Sequence, residues 1–184
     1  MATITLTTAE DLAAMPADDN RYELIRGGLV EMSPAGAEHG ELELEMGALM
    51  RNHVVPLKLG KVYGAETGFI LSRDPDTVLA PDVAFVRADR LTGRRRDRRG
   101  FLALVPDLIV EVISPSERPD KVADKLRDYL DAGVRLAWLL YPDPPAIAVH
   151  APGRPVQMLY EGDWLDGEDV LPGFRVAVTD LFQE

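Results

Sequence analysis

The sequence predicts a mixed α/β (α+β) fold, a central mixed β-sheet flanked by helices. Three observations predict it. Short apolar runs of strand character outnumber helical stretches; two longer segments carry a helical period, one before and one after the central strands; and no stretch between them is long enough to be a linker. The 184 residues are read as one domain, 1–184, with about 1–19 as an N-terminal extension.

The elements follow in order. Thr7 to Met15 is a short helix, capped by Thr8, with Leu12 facing inward. RYELIRGGLVEM is a hairpin turning at Gly27-Gly28. SPAGAEHG leads into a helix over about Glu38 to Val54, whose Leu42, Met46, Leu49 and Met50 recur at i, i+4, i+7 and i+8. Strands are expected at Lys61 to Gly64, Gly68 to Leu71, Asp82 to Val86 and Leu108 to Ile113. A second helix, about Arg118 to Asp131, ends at Gly133. Arg135 to Tyr141 is an apolar strand, Ala146 to His150 and Val156 to Tyr160 a hairpin, and LPGFRVAVTDLF a strand with a helical turn. Trp138 belongs to the core, and Trp164 to an acidic hairpin turn.

Composition narrows the function classes. No apolar run reaches the roughly 18 residues of a membrane span, so no membrane association is expected. The start lacks a secretory pattern, and the absence of cysteine excludes disulfides and thiolate metal sites; both fit a cytoplasmic protein. A net charge of −11 is awkward for binding phosphates. The exception is GRRRDRRG, Gly93 to Gly100, with five arginines, read as a solvated loop or a phosphate-contacting one. His39, His53 and His150 lack an i, i+4 metal spacing, and no nucleophile elbow or phosphate-cradling loop occurs.

One strand carries an anomaly. In Leu108 to Ile113, alternation puts Leu108, Val110 and Val112 on one side and Ile109, Glu111 and Ile113 on the other. A carboxylate on a buried face needs a partner or a metal. Asp82, after Pro81, opens another apolar strand. Two acids from neighbouring strands are able to share one hard divalent cation. The alternatives for each are a cap (Asp82) and a salt bridge to arginine (Glu111). In the following helix, Lys125 falls roughly 85° from the centre of the Val122, Leu126, Tyr129, Leu130 stripe, and Lys121 about 125°. A border lysine either snorkels at the surface or reaches over the sheet edge toward Glu111, where it would orient a nucleophile or offset developing charge.

Pro81-Asp82 and Glu111-Val112-Ile113 resemble the PD-(D/E)XK restriction-endonuclease-like superfamily, with Ile113 where the lysine usually stands. The chain looks more closely like the Uma-two family of endonucleases. The carrying pieces are YELIRGGLVEMSP, His39, APDVAFV, VPDLIVEVISPS, the Lys121 to Tyr129 run, GVRLAWLLYPD and LPGF, in order over about residues 20 to 182. In that run Lys121 stands where the family has an aspartate, and Asp120 lies one earlier. The resemblance implies a restriction-endonuclease-like fold, Mg²⁺ or Mn²⁺ at Asp82 and Glu111 with the Val112 carbonyl, and Lys125 as the catalytic lysine in the place Ile113 leaves empty. His39 matches a family position, as a core or cap residue or as a base or ligand. Glu31, or Glu23, is the hairpin acid that would reach the cluster or pair with an arginine.

Two functions follow. One is a metal-dependent endonuclease hydrolysing phosphodiester bonds of DNA, with Arg94 to Arg99 contacting the backbone. The other, motivated by the acidity and by Ile113, is an inactive interaction module on the same fold. Leu136 to Leu140 suits either the core or the seam of a homodimer.

Overall fold

The computed structural model describes residues 7–16, 20–91 and 100–182; the arginines at 94–99 lie outside them. The first helix, α1 (Ala9–Ala13), is capped by Thr8, as the sequence predicts, and Asp11 completes a capping box with it. Strands β1 (Arg21–Ile25) and β2 (Gly28–Met32) form the hairpin. Its turn is centred on Arg26-Gly27 and not on Gly27-Gly28, because Ile25 pairs with Gly28. Both turn residues have positive φ, 50° and 77°, the two-residue geometry whose twist suits a hairpin.

Helix α2 (Ala37–Leu57) runs past the expected end at Val54 and contains Pro56 in its last turn. It buries Leu42, Met46, Met50 and Val54, with Leu49 partly buried beside them. Then come β3 (Gly60–Gly64), β4 (Phe69–Ser72), β5 (Thr77–Leu79), β6 (Val83–Arg87) and β7 (Leu108–Val112). Helix α3 (Pro119–Ala132) ends on Gly133 in the left-handed conformation, as its placement predicts. Strands β8 (Leu136–Tyr141), β9 (Ala146–His150), β10 (Gln157–Leu159), β11 (Trp164–Asp166) and β12 (Arg175–Ala177) follow, and α4 (Val178–Leu181) is the last. Trp164 thus starts a strand paired with β12 and does not sit in a turn; the Arg175 guanidinium lies 4.6 Å from its ring centre.

The strands make a six-stranded mixed sheet, in the order β10-β9-β8-β7-β6-β3, in which only β7 and β8 are parallel. A four-stranded antiparallel sheet, β2-β1-β5-β4, and the β11-β12 pair complete them. This is the mixed α/β architecture expected. Strand β7 is buried on both faces, which is why its sequence reads as a nearly continuous apolar run. Leu108, Val110 and Val112 join the core that includes Leu42, Met46 and Met50 of α2. Ile109 joins a second core with Tyr129 and Val134 on the α3 side. Trp138 is fully buried in the first core and stacks on Phe174. No helix of the described residues is long and apolar enough to cross a membrane.

Candidate active site

Asp82 and Glu111 are brought together by strand register. Val83 pairs with Val110, so Asp82, one residue before β6, comes alongside Glu111 of β7. Its carboxylate does not cap its own strand. Oδ2 accepts the amide of Val112 at 2.7 Å, tying Asp82 across to β7. Of Val112, the amide is thus engaged by Asp82.

Alternation puts Glu111 on the α3 face. There Lys125 Nζ lies 3.0 Å from Glu111 Oε1, and Tyr129, one turn further along α3, donates its hydroxyl to the same oxygen at 2.8 Å. Lys121 is exposed. Helix phase therefore decides which lysine meets the strand acid. Lys125 makes a second ion pair with Glu23 Oε1 of β1, at 3.1 Å.

On the other side of Asp82, His39 Nε2 is 3.2 Å from Oδ1. Glu43, one turn after His39 on α2, completes a group: His39, Glu43 and Asp82 each offer one ligand atom, all within 4.8 Å of one another. Sequence reasoning missed Glu43. Its i, i+4 spacing from His39 was the available signal, since such residues share a helix face.

The first hairpin contributes Glu23 and not Glu31. Glu31 pairs with Tyr22, and Glu23 with Val30, so the two acids point to opposite faces. Glu23 is buried; Glu31 is exposed and away from the cluster.

The electrostatics follow from enclosure. Burial pushes the Glu111 carboxyl up to about 8, with Lys125 pulling it down and Asp82 and Glu23 pushing it further up. Burial opposes the charge on Lys125, but Glu111 and Glu23 outweigh it and hold the ammonium protonated. Burial also raises the Tyr129 hydroxyl, and Glu111 adds to that, so it stays a donor. The Asp82 hydrogen bond raises the His39 imidazole against its burial. Burial and Asp82 raise Glu43. Asp82, Glu111, His39, Glu23 and Lys125 all line one cleft of about 730 Å³, as do Ser33 to Gly36.

Chemically the cleft offers three or four oxygen and imidazole donors, no thiolate, and one enclosed ammonium. Carboxylate and imidazole donors at this spacing suit a divalent cation. With bonds of about 2.1 Å, neighbouring ligands of a six-coordinate ion lie about 3 Å apart and opposite ones about 4 Å. The 3.2 Å between His39 and Asp82, a hydrogen bond as it stands, fits the first once a cation displaces the shared proton, and the 4.8 Å limit needs only a small contraction.

Comparisons with known proteins bear on the family and the fold. The Uma2 family model, described as "Putative restriction endonuclease", matches residues 9–179. A search of curated proteins finds no match. Among solved structures, the crystal structure of "a putative nuclease belonging to DUF820" from Anabaena variabilis superposes with a TM-score of 0.81 at 19% identity. The match covers 95% of this chain and 97% of that one. At that identity the likeness is one of fold.

Proposed function

The chain belongs to the Uma2 family of restriction-endonuclease-like proteins, and from that premise we propose that it hydrolyses phosphodiester bonds of DNA with the help of Mg²⁺ or Mn²⁺. The single observation that carries the reading is the meeting of Lys125 and Glu111 at 3.0 Å beside Asp82, whose carboxylate is held by the next amide along β7. Without it, the family membership would be compatible with a dead site.

In this reading Asp82 and Glu111 hold the cation, with Glu43 and His39 as further donors at Asp82. When bound, such an ion lowers the pKa of a coordinated water and polarises the phosphate. The chain's own groups do the rest. Lys125 stays charged and offsets the negative charge that builds on the phosphate. Tyr129 holds Glu111 in place through its hydroxyl. The Val112 amide fixes one oxygen of Asp82 and leaves the other toward His39.

The rival reading, an inactive interaction module, drew its motive from the chain's acidity and from Ile113. The second motive weakens because an ammonium, that of Lys125 from α3, lies 3.0 Å from Glu111 although position 113 has none. The test is incubation of purified protein with supercoiled plasmid and Mg²⁺ or Mn²⁺. The expected result is nicking or linearisation that falls at least about 100-fold in Asp82→Ala and Lys125→Met. No cleavage in either metal, or cleavage indifferent to Asp82→Ala, removes the proposal.

A further inference from the structure

We infer that Glu23 is a positioning residue that fixes Lys125 and the segment carrying Asp82 relative to each other. The inference rests on the nuclease reading above and extends it to a residue of the second sheet.

One oxygen carries the argument. Glu23 Oε1 accepts the Ala80 amide at 2.9 Å and lies 3.1 Å from Lys125 Nζ. Ala80 is two residues before Asp82, and the residue between them is Pro81. Proline fixes its own φ and restricts the residue before it, so an anchor at Ala80 is passed stiffly to Asp82. The same oxygen therefore sets the origin of the aspartate and the end of the lysine.

The fold supplies the rigidity. Glu23 lies in β1, which pairs with β5 through Leu24 and Val78, and β5 runs directly into Ala80. Its side chain is 5% exposed, so neither contact is diluted by water. Lys125 has four rotatable bonds and would otherwise be held by Glu111 alone. With both carboxylates engaged, two of its three N–H donors are fixed, and one remains for a group in the cleft it lines. Glu23, like Glu111, stands outside the His39, Glu43, Asp82 group, so a Mn²⁺ titration is what separates an anchor of Lys125 from a ligand.

The test uses the full-length protein and plasmid cleavage in Mn²⁺, with calorimetric Mn²⁺ titration. In Glu23→Gln the amide oxygen still accepts from Ala80 while the charge facing Lys125 is lost. The expected result is a kcat lower by about 10- to 100-fold, as for other residues that orient a functional group, with KM for DNA and Mn²⁺ affinity within about twofold of wild type. Glu23→Asp keeps the charge but shortens the reach, and is expected to fall between; it also serves if the glutamine variant does not fold. Wild-type kcat in both variants overturns the inference while leaving the nuclease reading intact. Loss of Mn²⁺ affinity by tenfold or more overturns it too, because Glu23 would then be a ligand. A wild-type protein inactive in both metals overturns the nuclease reading, and this inference with it.

Discussion

At the scale of single residues, the site holds two carboxyls, Glu111 and Glu43, that burial has made reluctant to ionise. Glu111 is the clearest. Its carboxyl is pushed from the ordinary 4.5 up to about 8, so the folded chain binds that proton more tightly than the unfolded chain does. Between those two values the folded state holds more protons, and stability falls as pH rises. In metal-free protein the melting temperature is therefore expected to drop between about pH 5 and pH 8.5. The drop should be smaller in Glu111→Gln, which stays neutral. Calorimetric melts in a chelator check it; a wild type and variant that fall in parallel would mean Glu111 is not the group responsible. A second expectation concerns His39. If its contact with Asp82 belongs to a cation site, His39→Ala lowers Mn²⁺ affinity by about 10- to 100-fold in a calorimetric titration. Glu111 was legible because a strand's alternation admits only two sides, and the α3 side also received Lys125. Glu43 was not, because α2 carries Glu41, Glu43 and Glu45 in a row of alternating acids, and only the tertiary position of Asp82 singles one out. The exchange of Glu31 for Glu23 has a similar cause. In a hairpin both acids are plausible from sequence, and which face turns inward is set by the sheet it packs on.

At the scale of elements, the long periodic segments were legible, and of the three-residue strands β10 and β12 were found while β5 and β11 were not. The α2 and α3 stripes and the β7 to β9 strands were found near their true limits. Strand β5 has only three residues, ending before Ala80-Pro81, and was missed. Strand β11 has three as well and was taken for a turn. In both, pairing with a neighbouring strand, and for β5 also with β1, and not local propensity, makes the strand. The end of α2 was placed too early because proline usually ends a helix, whereas Pro56 falls in the last turn, just before the left-handed Lys58. Strand β3, at the edge of the large sheet, gives an internal comparison. A Cβ at Gly60 would lie 2.0 Å from the Val86 carbonyl oxygen and 2.8 Å from the Phe85 ring, while one at Gly64 meets nothing within 4 Å. Gly60→Ala is expected to cost about 2–3 kcal/mol by overpacking. Gly64→Ala is expected to be neutral or mildly stabilising, since alanine narrows the unfolded ensemble. Urea denaturation of both variants decides it, and equal midpoints would show that the β3–β6 contact yields more readily than the backbone spacing implies.

At the scale of the whole molecule, the question is how a chain of net charge −11 handles a polyanion. The overall charge was plain from the sequence, but its distribution was not. The cleft wall carries Glu23, Glu38, Glu66, Asp82, Glu111 and Glu117 against Arg21 and Lys125. Bare, that cleft repels phosphate. In the proposed nuclease, divalent cations would offset those carboxylates, so the ion would recruit the substrate as well as serve the chemistry. DNA affinity should therefore depend on the cation itself, which fluorescence anisotropy can show with Ca²⁺ in place of a catalytic metal. Binding is expected to be weak in chelator and at least about tenfold tighter in Ca²⁺. The salt dependence separates this from ordinary cationic attraction. Each phosphate neutralised by a lysine or arginine contributes about 0.9 to the slope of log K against log salt. Two cleft cations give a slope of about 2, and engagement of the five arginines at 94–99 would raise it toward about 6. Replacing those five by glutamine then lowers the slope by about 4 if they touch the backbone and leaves it unchanged if they are merely solvated. Tight binding in chelator with a steep slope that survives the replacement would mean that the nucleic acid sits on another face and that the acidic cleft is not where it is cut.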